Sequence, residues 1–211
     1  MSYCSDLTKE RIMDCARAEF LKKGFRETQL KDIAAAAKVT TGAIYRHFEN
    51  KEDLFYTLVK EVYEYTLDIM DHIEEHTQNS AEDLQNALQA DSIEQSYRMA
   101  MEFVQYMYEH LAAFQLLLKC SAGSKVENFI EDASLRYTKR NLAFTKKMHE
   151  NGIAHNLPNE LDIHIITTSY ITAICECILH DVPHEQAGQY VHNIITFHHY
   201  GWYGLLGIKQ K

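Results

Sequence analysis

The sequence predicts an all-α protein in two parts: short helices over residues 1–50, then a larger helical bundle over residues 51–211. Three observations carry this reading. Apolar residues recur every three or four positions through most of the chain. Neither Gly nor Pro occurs between Gly42 and Gly123, which permits long helices there. No hairpin dipeptide separates alternating runs, since the one Asn-Gly, Asn151-Gly152, ends a helical pattern.

Each element follows from a local signal. Ile12, Ala16 and Phe20 recur every four residues in a first helix from about Asp6 to Lys23, which Gly24 ends. Thr28 is read as the N-cap of a short second helix with Leu30, Ile33, Ala34 and Ala37 on one face. Thr40 caps a third, with Ile44 and Phe48 one turn apart. Asn50 caps a fourth, with Asp53 at the capping-box position, and this helix is expected to reach about Glu75. Apolar positions predict further helices over 92–119, 125–150, 160–180 and from Pro183 to Leu206.

Composition narrows the function. The net charge is -9, yet residues 1–51 carry ten Lys/Arg against seven Asp/Glu, leaving a mildly basic N-terminal segment on an acidic body. IITTSYITAICECIL contains hydroxyls and Glu176 and reads as a buried helix, not a membrane span. The opening MSYCSDLTKERIM lacks the order of a signal peptide, so the expected location is the cytoplasm. The five scattered cysteines are expected to be reduced. No P-loop, GxSxG or HExxH occurs, and no Glu-x-x-His pair, so an enzyme is not expected. No cofactor or metal is expected. His72 with His76, and Cys177 with His180, have spacings that can hold a metal, but an exposed polar face and core packing explain them better.

The stretch VTTGAIYRHFENKEDL stands apart. Two short helices joined by a tight turn form a helix-turn-helix by length. Ile44 and Phe48 anchor the second of them, leaving Thr41, Gly42, Ala43, Tyr45, Arg46 and His47 outward. Hydroxyls, Tyr, His and Lys at that density suit phosphates in a DNA major groove. Lys51 begins the next helix, where a phosphate is also favoured.

IAAAAKVTTGAIYRHFENKEDL resembles the TetR-type bacterial transcriptional regulators, in Ile33-Ala34, Gly42, Ile44-Tyr45, His47-Phe48 and Lys51 followed by Leu54. The resemblance covers roughly residues 8–60. It implies a homodimer that binds a palindromic double-stranded DNA operator, with a helical C-terminal domain that holds a small-molecule effector and pairs through its last two helices. It further implies that Thr28, Thr40, Tyr45, His47 and Lys51 contact phosphates, that Thr41, Ala43 and Arg46 face base edges, and that Gly42 lies close to the backbone. Arg46 is the candidate for reading guanine. The chain departs from the pattern at Lys38, where glycine is usual, and at Arg46, where an aromatic residue is common.

The expected function is a ligand-responsive repressor. A DNA-binding protein of the same fold controlled by a protein partner is the alternative, and a helical metal protein a more distant one. Tyr97, Met101, Tyr108, Phe129, Tyr137, Phe144 and Met148 are candidates for an effector pocket, with His110, Asn141 or His149 as orienting polar groups. The same stripe is what a plain core would look like.

Overall fold

The computed structural model describes residues 2–72 and 91–208, and side chains over 6–71 and 93–208. Nine helices and no strands occur among them: α1 (Ser2–Glu27), α2 (Leu30–Ala36), α3 (Thr41–Ile44), α4 (Lys51–His72), α5 (Asp91–Glu109), α6 (Leu111–Lys119), α7 (Phe129–Glu150), α8 (Glu160–Leu179) and α9 (His184–Leu206). They form two compact units. The first comprises residues 1–65 and 110–129, the second 66–109 and 130–211.

In the first unit the four-residue period of α1 buries Ile12, Ala16 and Phe20 completely. Phe20 meets Phe55 edge-on at 4.9 Å and Phe25 meets the same ring at 5.1 Å. Such edge-to-face pairs add to what burial alone contributes. Gly24 breaks α1 with φ 75°, a conformation that costs a residue with a Cβ. The break frees the Phe25 amide, which donates to the Cys120 carbonyl at 2.7 Å. α6 packs on α1 and buries Phe114, Leu116 and Leu117.

In the second unit α9 packs against α5 and α8. Met148, Ala154 and Leu206 form a buried cluster, with Phe144, Ile153, Trp202 and Ile208 against it. α8 has a capping box. Asn159 accepts from the Asp162 amide at 3.0 Å, and Asp162 accepts from the Asn159 amide at 3.4 Å. It is long and apolar enough to cross a membrane by length and composition, but it buries Ile163, Thr167, Ile171, Ile174, Cys175, Cys177 and Ile178 within the unit. Gly207 ends α9 in the left-handed region at φ 66°, and a Cβ there would meet Asn156 at 3.0 Å.

Several boundaries differ from the sequence reading: α1 starts at Ser2 and continues past the break at Gly24 to Glu27, while the end expected near Glu75 for α4 lies outside the described residues. The helix expected over 92–119 is two, parted at His110 (φ -110°, ψ 31°), so that its halves join different compact units. No Gly or Pro signals this break. The helix expected from Lys125 begins at Phe129. Ahead of it the Glu127 carboxylate accepts from the Gly123 amide at 2.7 Å, and Ser124 Oγ from the Val126 amide at 3.3 Å. Such local bonds compete with a helical turn. The α-helical part of α3 covers only Thr41–Ile44, and turns carry the chain on to Phe48. Thr28 is not the N-cap of α2. Gln29 holds that place, with no side-chain capping bond.

Candidate nucleic-acid interface

α2, the turn and α3 are fixed from inside. Ile33, Ala37 and Ile44 are completely buried, Ala34 and Phe48 nearly so. Small alanines on α2 allow α3 to cross closely, and Ile44 fills the space they leave. The turn between them puts Lys38 at φ 53°, and its amide donates to the Ala35 carbonyl at 3.1 Å. A side chain in the left-handed region costs about 1 kcal/mol relative to glycine. Thr40 caps α3 as the sequence indicates, its Oγ1 accepting from the Ala43 amide at 3.2 Å. The hydroxyl proton remains to be donated outward, and the residue is exposed.

The outward face carries Thr41, Gly42, Tyr45 and Arg46, all exposed, with Ala43 and His47 half-buried. Tyr45 is 57% exposed, which is unusual for so large a ring and leaves its hydroxyl in solvent. A Cβ at Gly42 would meet only Thr40 Oγ1, at 3.7 Å, so glycine is not demanded there by the protein itself. Arg46 enters no ion pair among the described residues. By contrast Lys23, also exposed, is paired with Glu19 at 2.7 Å and Asp32 at 3.0 Å, and these two carboxylates raise its pKa. Lys9 of α1 lies beside the turn that follows α3, its Nζ 5.7 Å from the Phe48 ring centroid.

Two residues expected at phosphates are placed elsewhere. Thr28 is 1% exposed and its hydroxyl lies 2.7 Å from the Gly24 carbonyl and 3.2 Å from that of Glu19, so it closes the end of α1. Lys51 Nζ donates to three carbonyls, those of Phe25 at 2.7 Å, Thr28 at 3.0 Å and Arg26 at 3.2 Å. It also stands over the Phe25 ring at 4.4 Å. An ammonium has three protons, and all are used. Lys51 thus ties the start of α4 to the broken end of α1 across 26 residues of sequence. The Asn50 cap is present: the Asp53 amide donates to Asn50 Oδ1 at 2.9 Å, while Asp53 accepts from the Glu49 amide at 3.0 Å. Sequence reasoning passed over Gln29, exposed at the start of α2 with its amide group available; a glutamine in that place carries no signal of its own.

The seven side chains put forward for a pocket have different neighbours among the described residues. Phe129 is buried in the first unit against Tyr63, ring centroids 5.9 Å apart. In the second unit Tyr97 faces His192 at 5.7 Å, and the Tyr108 hydroxyl donates to the Val182 carbonyl at 2.7 Å. Tyr137 faces Tyr170 at 6.0 Å. Phe144 and Met148 belong to the cluster around Leu206, and Met101 is half-buried on α5. Of the polar candidates, Asn141 donates to Thr167 Oγ1 at 3.0 Å and His149 lies 3.1 Å from the Ala154 carbonyl. His110 ends as the junction residue of α5 and α6. A groove of about 570 Å³, lined by Ile165, Thr168, Thr172, Glu176 and Tyr190 among others, contains none of the seven.

The histidine pair His72 and His76 lies outside the described side chains. Cys177 is completely buried, while His180 is exposed and 2.8 Å from Glu176. Among the described residues no three His, Cys, Asp or Glu side chains come together as a metal site would require.

Residues 12–57, which hold this whole helix-turn-helix, match the bacterial regulatory proteins of the tetR family. The helix-turn-helix segment is of the TetR type. Over 48 residues it is 52% identical to the probable acrEF/envCD operon repressor of Escherichia coli K12, a stretch that is 23% of this chain and 22% of that protein. The curated relatives therefore share about a quarter of their length with it. The fold extends much further. A transcriptional regulator from Aquifex aeolicus VF5 superimposes with a TM-score of 0.57 at 20% identity, over 90% of this chain and 98% of that one. FadR of Bacillus subtilis, solved in complex with stearoyl-CoA, gives 0.53 at 16% identity, over 89% and 97%. The chain thus shares sequence with the curated relatives at the helix-turn-helix, and fold with the solved structures over about nine-tenths of its length.

Proposed function

We propose that this protein is a cytoplasmic, ligand-responsive transcriptional repressor that binds a palindromic operator as a homodimer and is released by a small molecule. The observation that carries the reading is the outward face of α3: Tyr45 and Arg46 exposed, held by Ile44 and Phe48 buried beneath. An apolar anchor below a polar, partly cationic face is what entry into a major groove requires. Thr40, Tyr45 and His47 then hold phosphates, with Thr41, Ala43 and Arg46 toward base edges and Gly42 near the backbone. Gln29 joins the phosphate contacts. Thr28 and Lys51 act by holding α1, α2 and α4 in place.

Residues 1–50 form the DNA-binding domain in this reading and residues 51–211 the ligand-binding and dimerisation domain, with 51–65 and 110–129 packed in one compact unit with the former. The dimer face lies on α8 and α9. Leu161, Ile165, Phe197 and Tyr200 are all at least half exposed there, whereas most apolar residues among those described are covered. Release follows from linkage. A ligand that favours a body conformation with a different spacing of recognition helices lowers DNA affinity by the same factor that DNA lowers the ligand's.

Fluorescence anisotropy on DNA flanking the coding region, at several salt concentrations, tests this reading. Tight binding that depends on a palindrome and weakens in Tyr45→Ala is expected. Binding that ignores both sequence and the substitution would overturn it. Palindrome-dependent binding that no small molecule releases would favour control by a protein partner.

A further inference from the structure

We propose that Arg140 anchors a binding site in the second unit for an organic monocarboxylate. This deepens the ligand-responsive reading and rests on it for its biological role, though not for its chemistry. α7 carries two arginines one turn apart with opposite fates. Arg136 is paired with Asp71. Arg140 has no carboxylate among the described residues; its guanidinium carbon lies 3.9 Å from the centroid of the Tyr137 ring. Its Nη1 is shut off from solvent and meets no acceptor among the described residues. Buried N–H groups are almost always paired, so an exception calls for an explanation. Nor can the group escape by losing its proton, as a buried lysine can, because guanidinium stays charged in proteins.

The surroundings define the missing partner. Tyr137 faces Tyr170 at 6.0 Å, and Tyr170 faces His198 at 5.2 Å, so aromatic surface leads away from the cation. The charge of Arg140 also reaches Tyr170, whose phenol burial holds well above its usual range. A neutral carbonyl would satisfy Nη1 and leave the charge uncompensated. A phosphate dianion would bring one charge too many, since Arg140 is the only cation shown against these rings among the described residues. A carboxylate balances it and matches the planar fork of donors with two oxygens. The aromatic neighbours suit a ligand body that is aromatic or aliphatic.

Calorimetric titration of the full chain without DNA tests the site, using benzoate, 2-naphthoate and hexanoate, each against its uncharged amide, and inorganic phosphate. At least one carboxylate is expected to bind saturably, once per chain, with its amide and phosphate much weaker. Arg140→Met should weaken that carboxylate about 30-fold or more, the range for unpairing a buried charge. Arg140→Lys, which keeps the charge without the fork, should fall between. The thermal midpoint of Arg140→Met should hold or rise, because a solvent-shielded, unpaired N–H of a half-buried cation is removed; this separates a binding role from a packing role. No binding by any of the three, equal binding of acid and amide, or full binding by Arg140→Met would each overturn the proposal. Release of DNA is scored separately. Arg140-dependent carboxylate binding that leaves DNA affinity unchanged would uphold the site and refute ligand release by this class.

Discussion

The interiors of the two units are finished to different degrees. In the first, polar groups brought inside are used up. Thr28 and Lys51 direct every proton at carbonyls, and the solvent-shielded Glu19 oxygen without a formal hydrogen bond still lies 2.7 Å from Lys23. In the second, Ser134 Oγ, Thr168 Oγ1 and Arg140 Nη1 are shielded from solvent with no partner among the described residues. A buried polar group left unpaired costs roughly 1–3 kcal/mol. The first unit is therefore organised as a rigid platform, and the second keeps polar capacity unused. That matches the proposed division: one part presents a fixed face to a fixed polymer, and the other accepts a ligand.

Breaking the platform should have the largest effect. Phe55 is completely buried against Phe20 and Phe25. Phe55→Ala should cost about 3–5 kcal/mol by urea unfolding. A loss under about 1 kcal/mol would mean the aromatic cluster is not the core of the unit. Next is the Lys51 clamp. Lys51→Met keeps the stem over Phe25 but leaves three carbonyls unserved, at about 2–3 kcal/mol, the range for hydrogen bonds to a charged group. If stability is unchanged while DNA affinity drops and its salt dependence flattens, Lys51 is a phosphate contact after all and the clamp is incidental.

Surface changes on the platform should act on recognition, not folding. Arg46→Ala should leave the melting temperature nearly unchanged and shift base preference at one operator position by about 1–3 kcal/mol. Equal loss on every sequence would reassign Arg46 to phosphate. In the second unit His198 offers a pH test. Desolvation lowers its pKa, partly offset by the contact of Nδ1 with the Ile194 carbonyl at 3.0 Å. Below about pH 6.5 the unfolded chain takes up a proton that the folded imidazole resists. Its stabilising share is thus full above that pH and is lost as pH falls through the lowered folded value. Thermal melts at about pH 7.5 and about pH 5.5, on either side of the unfolded value, should show a drop that His198→Gln reduces. His199, lowered by burial as well, should account for some of what remains. A drop identical in the variant would discard His198 as its source.

How far the sequence reaches depends on the range of the interaction. The four-residue period of α1, the cap at Thr40 and the Ile44 and Phe48 anchors follow from local geometry, and all can be read from neighbours on the chain. The break at His110 cannot, since it depends on which unit each half joins and no Gly or Pro marks it. Lys51 is a similar case. At the first turn of a helix it reads as a phosphate ligand, and only the fold reveals carbonyls 26 residues back. The pocket candidates are a third case: an aromatic stripe specifies burial but not what it is buried against. Arg140 carried no signal at all, being one more cation on a helix until its neighbours were seen.

The smallest effect is the most telling about the second unit. Ser134 is completely buried on α7 and its hydroxyl has no partner among the described residues. In a finished core, removing a hydroxyl that makes one hydrogen bond costs about 1 kcal/mol. Here no bond is lost and a desolvated oxygen is removed, so Ser134→Ala should be neutral or stabilising by up to about 1 kcal/mol. The substitution leaves a small void and relieves an unmet polar atom, and the relief outweighs the void. The measurement is a urea midpoint at unchanged slope. A loss of about 1 kcal/mol or more would mean that the hydroxyl is bonded in solution, to water or to a rearranged neighbour. In that case the second unit is as fully satisfied as the first, and the contrast between them disappears.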